Sequence, residues 1–291
     1  MPELPEVEVT RRQLAPLLAS RTIARVRTTK PSYFFVTRPD VLAKGLRGRR
    51  VEQLDRHGKY LVAKLDDGRA LLLHLGMTGQ LFAEGASSPR LLSSTGGGTL
   101  APEAQRGFVV DAHTHLVLEF DDGGPAVCFR DARKFGKVQL LARGERCARL
   151  DKLGVDALQA TGAALHEATL ARKAAIKTVL LDQQVLAGVG NIYADEALFH
   201  AGIRPTRAAR RLSLPDCERL IAAVKRVLER SIETGGSSIS DYVRPDGSDG
   251  GYQDERKVYA RGGEPCFTCG ARVKRLVLGQ RSSCYCPSCQ R

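Results

Sequence analysis

No apolar run in this chain approaches the roughly 20 residues that a helix needs to cross a bilayer, and its start lacks a basic stretch followed by an apolar one. Neither a membrane span nor a secretory signal is expected, which leaves the cytoplasm as the expected compartment. Acidic residues are also few: 32 Asp+Glu face 45 Lys+Arg, a formal net charge of +13. That deficit argues for a polyanionic partner, with nucleic acid ahead of a membrane surface. Cysteine is sparse before residue 266, where Cys128, Cys147 and Cys217 stand alone, so no disulfide framework is expected. What is present is ordinary globular material. Of its 291 residues, 43% are hydrophobic and 26% charged, enough for a sizeable core and a length that suggests two domains.

The opening "MPELPEVEVT" sets Pro2 and Pro5 among Glu3, Glu6 and Glu8. Leu4, Val7, Leu14 and Leu18 fall roughly on one helical stripe, and Pro5 suits a first turn, where its missing N–H costs nothing. Pro2 and Glu3 thus sit just ahead of a helix. From Val51 to Leu141 the period shortens to that of strands, and Asp-Asp-Gly turns interrupt "KYLVAKLDDGRALLLHL" and "HLVLEFDDGGPAVCFR" as hairpins require. An antiparallel β domain with its N-terminal helix is expected over 1–143. Within it Glu84 to Gly107, rich in Gly, Ser, Thr, Pro and Ala, reads as a mobile loop. From Gly144 the chain reads helical. Ser213 is placed to cap a helix with Asp216 three residues on, and Leu220, Val224, Val227 and Ile232 mark its buried face. Gly235 to Gly251 reads as a second loop that ends a helical domain over 144–251, so the fold class is α+β.

The tail, 252–291, holds the remaining five cysteines. Cys266 and Cys269 form one C-x2-C pair, Cys286 and Cys289 another, with sixteen residues between them. That spacing is typical of a structural zinc site in which two knuckles supply four thiolates. One structural zinc ion is expected, with Arg272, Lys274, Arg275 and Arg281 on the linking hairpin available to phosphates. In "IKTVLLDQQVLAGVGNIYADEALFHAGIRP" a helix ends near Gln183, a turn runs through Gly188 and Gly190, and Asn191 is placed to cap the next helix. The first N–H groups of that helix would form a phosphate cradle, with Lys177 adding charge from the helix before.

Three stretches together, "PELPEVE", "GVGNIYADEALF" and the four-cysteine tail, closely resemble the bacterial formamidopyrimidine-DNA glycosylase (8-oxoguanine-DNA glycosylase, AP lyase) family over nearly the whole chain. The resemblance implies an N-terminal antiparallel β-sandwich joined to a helical domain with a helix-two-turns-helix and a zinc finger. It implies a monomeric base-excision repair enzyme, nucleoid-associated, acting on double-stranded DNA that contains oxidised bases or abasic sites. In that family Met1 is removed and the secondary amine of Pro2 attacks C1′ of the damaged nucleoside. Glu3 is carried over as the acid/base at the sugar ring oxygen, Glu6 as a residue positioning water or protons, and Lys59 as a phosphate contact that assists β-elimination. His113, Arg133, Arg172, Lys177, Asn191 and Arg281 fall on DNA-contact positions, Arg281 being the finger arginine implicated in δ-elimination. Met77, Arg133 and Phe135 fall on the side chains that fill the hole left by an extruded base.

Three features depart from the family pattern. Arg172 stands where lysine is also common, Cys284 occupies a position usually aromatic and offers a rival ligand for the metal, and Glu84 to Gly107 is longer than the family norm. Two alternatives stay open: an endonuclease VIII-like glycosylase for oxidised pyrimidines, and a non-enzymatic zinc-ribbon DNA-binding protein. Against the first stand "PELPE", the Met77, Arg133 and Phe135 set, and the loop from Ser237 to Gly251; the second would leave Pro2, Glu3 and Lys59 without a task.

Overall fold

The structure, a computed structural model, describes residues 1–86, 110–239 and 242–291. Most of the loop expected over 84–107, and two residues of the loop expected over 235–251, lie outside the described residues. The chain divides into two units: Met1–Cys147 with Thr234–Gly251, and Ala148–Glu233 with Tyr252–Arg291.

The first unit begins with α1 (Leu4–Leu18), whose start is fixed by a capping box: the Glu3 N–H donates to Glu6 Oε2 at 2.7 Å and the Glu3 carboxylate takes the Glu6 N–H. Strands β1 (Ile23–Thr28), β6 (Thr114–Phe120), β7 (Val127–Asp131) and β5 (Gly79–Ala83) form one antiparallel sheet in the order β1-β6-β7-β5. Strands β2 (Val51–His57), β3 (Tyr60–Leu65), β4 (Ala70–His74) and β8 (Lys137–Leu141) form the other, in chain order. Both Asp-Asp-Gly stretches turn where expected, Gly68 at φ 82° and Gly123 at φ 70°, values that cost glycine nothing. Ile23, Leu118 and Phe129 from one sheet share a buried cluster with Leu54, Leu61 and Leu73 from the other. Leu14 and Leu18 of α1 and Leu42 of α2 (Pro39–Leu46) join it, which makes the unit a β-sandwich with a helix-lined core.

The second unit carries α3 (Ala148–Asp151), α4 (Gly162–Thr169), α5 (Ile176–Leu181), α6 (Asn191–His200) and α7 (Leu214–Glu233), with β9 (Val155–Asp156) and β10 (Leu186–Ala187) paired in parallel. The expected cap of α7 is present: the Ser213 N–H donates to Asp216 at 3.1 Å and the Asp216 N–H to Ser213 Oγ at 3.3 Å. A hairpin of β11 (Lys274–Leu278) and β12 (Arg281–Tyr285) turns through Gly279 and Gln280, both at positive φ as a type I′ turn requires.

Two expected boundaries differ from this division. Residues 234–251, expected with the helices, belong with the sandwich, because Glu6 accepts the Ser237 N–H at 2.9 Å, Gln13 reaches Asp246 at 3.0 Å, and Val243 packs with Phe82, Val117 and Cys128. The tail, expected as a zinc-finger domain over 252–291, packs in one compact unit with the helices. Buried Glu196 of α6 accepts the N–H groups of Lys257, Val258 and Tyr259 at 2.8, 2.9 and 2.8 Å. Among the described residues no helix is long and apolar enough to cross a membrane.

Candidate active site and nucleic-acid interface

The first turn of α1 buries charge to an unusual degree. Pro2, Glu3, Glu6 and Glu8 are all buried, which is tolerable only because donors converge on the carboxylates. Glu6 holds its own helix start through the Glu3 N–H and the 234–251 segment through the Ser237 N–H. Gly236, at φ 87°, must be glycine here: a Cβ would lie 3.2 Å from Glu6 Oε1 and 3.0 Å from the Tyr242 ring. Tyr242 keeps its proton, since burial and then the Glu6 charge both push its pKa up.

Lys59 lies in the two-residue turn between β2 and β3, after Gly58 at φ 54°, and is only 8% exposed. A chain of contacts ties this turn to α1. Glu8 binds Arg11 and Arg12 at 2.8 Å and Arg56 at 3.1 Å, and Arg56 Nη1 donates to the Gly58 carbonyl at 3.0 Å. His74, opposite Tyr60 in the sheet with its ring tilted against that of Tyr60 at 4.6 Å, flanks the same turn. Neither Arg56 nor His74 stood out in the sequence, since only the sheet register brings them here.

Burial works to raise the Glu8 pKa, yet the Arg11, Arg12 and Arg56 guanidiniums hold it down at about 2 against an ordinary 4.5. Its folded-state pKa is depressed, so its stabilisation is fully present above 4.5 and is lost as pH falls through about 2. Glu8→Gln is expected to cost up to about 3 kcal/mol at pH 7, and the gap from wild type should close between pH 4.5 and 2. Denaturant midpoints at neutral and acid pH check this; a gap independent of pH would remove the role of the charge.

Met77 lies on one loop of the sandwich, and Arg133 and Phe135 lie on the loop that touches it. Met77 is 37% and Phe135 45% exposed, uncommon for large apolar side chains, and the Arg133 guanidinium lies 5.7 Å from the Phe135 ring centre. His113 is half-buried beside them; its carbonyl accepts the Asp131 N–H at 2.9 Å. Gly76, at φ 63°, has the Phe135 carbonyl carbon 2.4 Å from where a Cβ would sit, so the two loops touch through backbone.

In the second unit the turn before α6 is organised by Gln183, which donates to the Leu181 and Val189 carbonyls at 3.0 and 2.9 Å and accepts the Gly188 N–H at 3.0 Å. Asn191 was expected as the cap of α6. The structure makes Gly190 the N-cap and Asn191 the first helical residue, its Oδ1 buried without a hydrogen-bond partner among the described residues. Arg172 is exposed and paired with Asp182 at 2.9 Å, and Arg281 stands exposed at the start of β12. Lys177 requires a correction. It was expected at a DNA phosphate, but it is 0% exposed, bonds Asp195 at 2.7 Å and donates to the Ser282 carbonyl at 2.8 Å. A side chain with no exposed surface and its charge already paired holds the finger hairpin to α6; Asp195, which also accepts from Ser283 Oγ and the Cys284 N–H, is its partner.

The four knuckle thiols meet the demand of a metal. Tetrahedral zinc with Zn–S bonds of about 2.3 Å sets sulfurs about 3.8 Å apart. Here Cys266 and Cys289 Sγ lie 3.9 Å apart, Cys269 and Cys286 3.4 Å, and all four fall within 4.8 Å of one another. The Thr268 and Cys289 N–H groups point at the Cys266 and Cys286 sulfurs, as thiolates favour. Cys284 is outside the cluster, packed among Val258, Val273 and Phe199, and burial raises its pKa. The set suits one structural zinc.

Three family models match the chain in succession. Residues 1–138 match the formamidopyrimidine-DNA glycosylase N-terminal domain, 153–243 the H2TH domain of the same enzymes, and 263–291 the zinc finger found in FPG and IleRS. Formamidopyrimidine-DNA glycosylases of Cupriavidus pinatubonensis and Paracoccus denitrificans are 44% and 41% identical over the full length of both chains. The crystal structure of the MutM (Fpg) protein from Thermus thermophilus superposes with a TM-score of 0.82 at 36% identity, over 99% of this chain and 98% of that one. A complex of Lactococcus lactis Fpg with DNA containing an abasic site gives 0.84 at 30% identity and 99% coverage of both. By fold, domain composition and full-length similarity, the chain belongs to the formamidopyrimidine-DNA glycosylase family.

Proposed function

We propose that this chain is a bifunctional glycosylase and AP lyase that excises oxidised purines, 8-oxoguanine and formamidopyrimidines, with Pro2 as its nucleophile. Family membership makes it a DNA glycosylase of base excision repair; the residues add how. The observation that carries the proposal is the Glu3 and Glu6 capping box directly behind Pro2, two buried carboxylates held at the start of α1.

With Met1 removed, the Pro2 amine attacks C1′, the glycosidic bond breaks, and Glu3 protonates the ring oxygen as the sugar opens. The resulting iminium withdraws electrons from C1′ and acidifies the C2′ proton. Loss of that proton expels the 3′ phosphate, and a second elimination expels the 5′ phosphate. Lys59, held by the Gly58 turn, assists at phosphate, as does Arg281 from the finger. His113, Arg133, Arg172 and Asn191 hold the backbone, while Lys177 supports the finger from inside. Zinc, when bound, shapes the finger and takes no part in bond making, because four thiolates leave no open position. The enzyme acts as a monomer on double-stranded DNA, in the cytoplasm at the nucleoid.

Borohydride trapping on duplexes containing 8-oxoguanine or thymine glycol tests this. A covalent complex should form on the 8-oxoguanine duplex, and excision should favour that lesion over thymine glycol. The reverse preference would move the chain to the endonuclease VIII-like class, and no complex with either would leave a non-enzymatic DNA-binding protein.

A further inference from the structure

Asp131 is buried at the end of β7, and its carboxylate joins two loops. Oδ1 accepts the Thr78 hydroxyl and, at 3.2 Å, the Arg133 N–H; Oδ2 accepts the Gly136 N–H at 2.6 Å. Thr78 directly follows Met77, and Arg133 to Gly136 is the segment that carries Arg133 and Phe135. The main chain of Asp131 extends the arrangement. Its N–H donates to the His113 carbonyl at 2.9 Å, and its carbonyl lies 3.0 Å from His115 Nε2.

A carbonyl only accepts, so His115 carries its proton on Nε2 and its Nδ1 accepts from the Thr29 hydroxyl 3.0 Å away. His115 is 1% exposed and its ring lies tilted against Phe34 at 5.0 Å, so it braces the clamp from the core side. The loops that carry Met77, Arg133 and Phe135 are therefore joined through one buried side chain. Replacing an extruded base needs three side chains in fixed relative positions, which loops do not hold without such an anchor.

We propose that Asp131 is a positioning residue for base-pair discrimination: it sets Met77, Arg133 and Phe135 in register so that Arg133 can test the base left opposite the lesion. The proposal rests on the void-filling assignment of those three residues. Arg133 has five N–H donors in a planar fork, able to satisfy the acceptors of an orphaned cytosine and poorly matched to the Watson–Crick edge of adenine. A fork displaced by about 1 Å loses that selectivity while the chemistry at Pro2 keeps its groups.

The test compares wild type with Asp131→Asn on 8-oxoguanine opposite cytosine, on 8-oxoguanine opposite adenine, and on an abasic site in single-stranded DNA, where no opposite base exists to be read. Asparagine keeps the size but offers an NH2 to one of the three donors. We expect single-strand cleavage to stay within about threefold of wild type while the cytosine-to-adenine rate ratio falls by about tenfold to a hundredfold. Thr78→Val and Thr78→Ser provide a second route if Asp131→Asn fails to fold: valine, which lacks the hydroxyl, should lose discrimination, and serine should keep it. A cytosine-to-adenine ratio unchanged in Asp131→Asn or in Thr78→Val overturns the positioning role. So does an equal loss on all three substrates, which would mean general damage. Wild type that does not discriminate cytosine from adenine would instead remove the void-filling assignment, and wild type inert on all three substrates the Pro2 chemistry.

Discussion

Protein that retains Met1 is expected to form no covalent adduct with lesion DNA under borohydride, whereas protein processed to Pro2 should trap in full. The reason lies in one nitrogen. Behind Met1 the Pro2 nitrogen is a tertiary amide, its lone pair delocalised into the carbonyl and without an N–H, so it cannot become an iminium at C1′. Freed, it is an α-amine with a pKa near 8, against about 10.4 for lysine, so at neutral pH roughly 200 times more of it is unprotonated. Pro2 is buried beside the equally buried Glu3 and Glu6.

Intact-mass measurement on active enzyme should therefore show loss of Met1. Pro2→Gly should keep some trapping through its primary amine, while N-terminally extended protein should show none. Glu3→Gln should bind lesion DNA and lose excision, because the amide keeps the shape without the exchangeable proton. Covalent trapping by protein of uncleaved mass would mean that Pro2 is not the nucleophile, and Lys59, next nearest in chemistry, would be tested first.

What could be read from the chain and what could not divide along the range of the interactions. The α1 stripe, the Asp-Asp-Gly turns, the Ser213 cap and the knuckle spacing are written within a few residues of each other, and each forms where the pattern puts it. Lys177 departs from expectation because its environment is assembled from afar: Asp195 lies on the next helix and Ser282 on a hairpin about a hundred residues on. From "AIKTVLL" alone a lysine on a helix is expected at the surface, since an unpaired buried ammonium is prohibitively costly. Glu8 and Arg56 went unnoticed for a similar reason, and so did Asp131, whose three acceptor contacts come from two loops more than fifty residues apart. The grouping of 234–251 with the sandwich depends on Glu6, a residue at the opposite end of the chain. Local spacing marks caps, turns and the metal knuckles, whereas the contacts of Lys177, Glu8 and Asp131 emerge only from the fold.

The second large effect is expected at the finger. Cys286→Ser should bring zinc content from one equivalent to near zero, remove most affinity for duplex, and lower the melting temperature, whereas Cys284→Ser should keep the full equivalent. A structural zinc in such a site is worth on the order of 10 kcal/mol to its fold, far more than this small region can recover from apolar burial. Its own core is little more than Val258, Val273 and Phe199 with the thiols. The Asp195 contacts to Ser283 and Cys284 and the Lys177 bond to Ser282 grip β12 from inside, but each hydrogen bond contributes about 1 kcal/mol and together they do not replace the metal. Loss of zinc should thus loosen the hairpin and with it Arg281, which follows the Gly279-Gln280 turn. Metal analysis, thermal melts and duplex titration of the two variants decide the point. If Cys284→Ser loses the metal while Cys286→Ser retains it, the ligand set is Cys266, Cys269, Cys284 and Cys289, and the 3.4 Å approach of Cys269 to Cys286 has no bearing on metal binding.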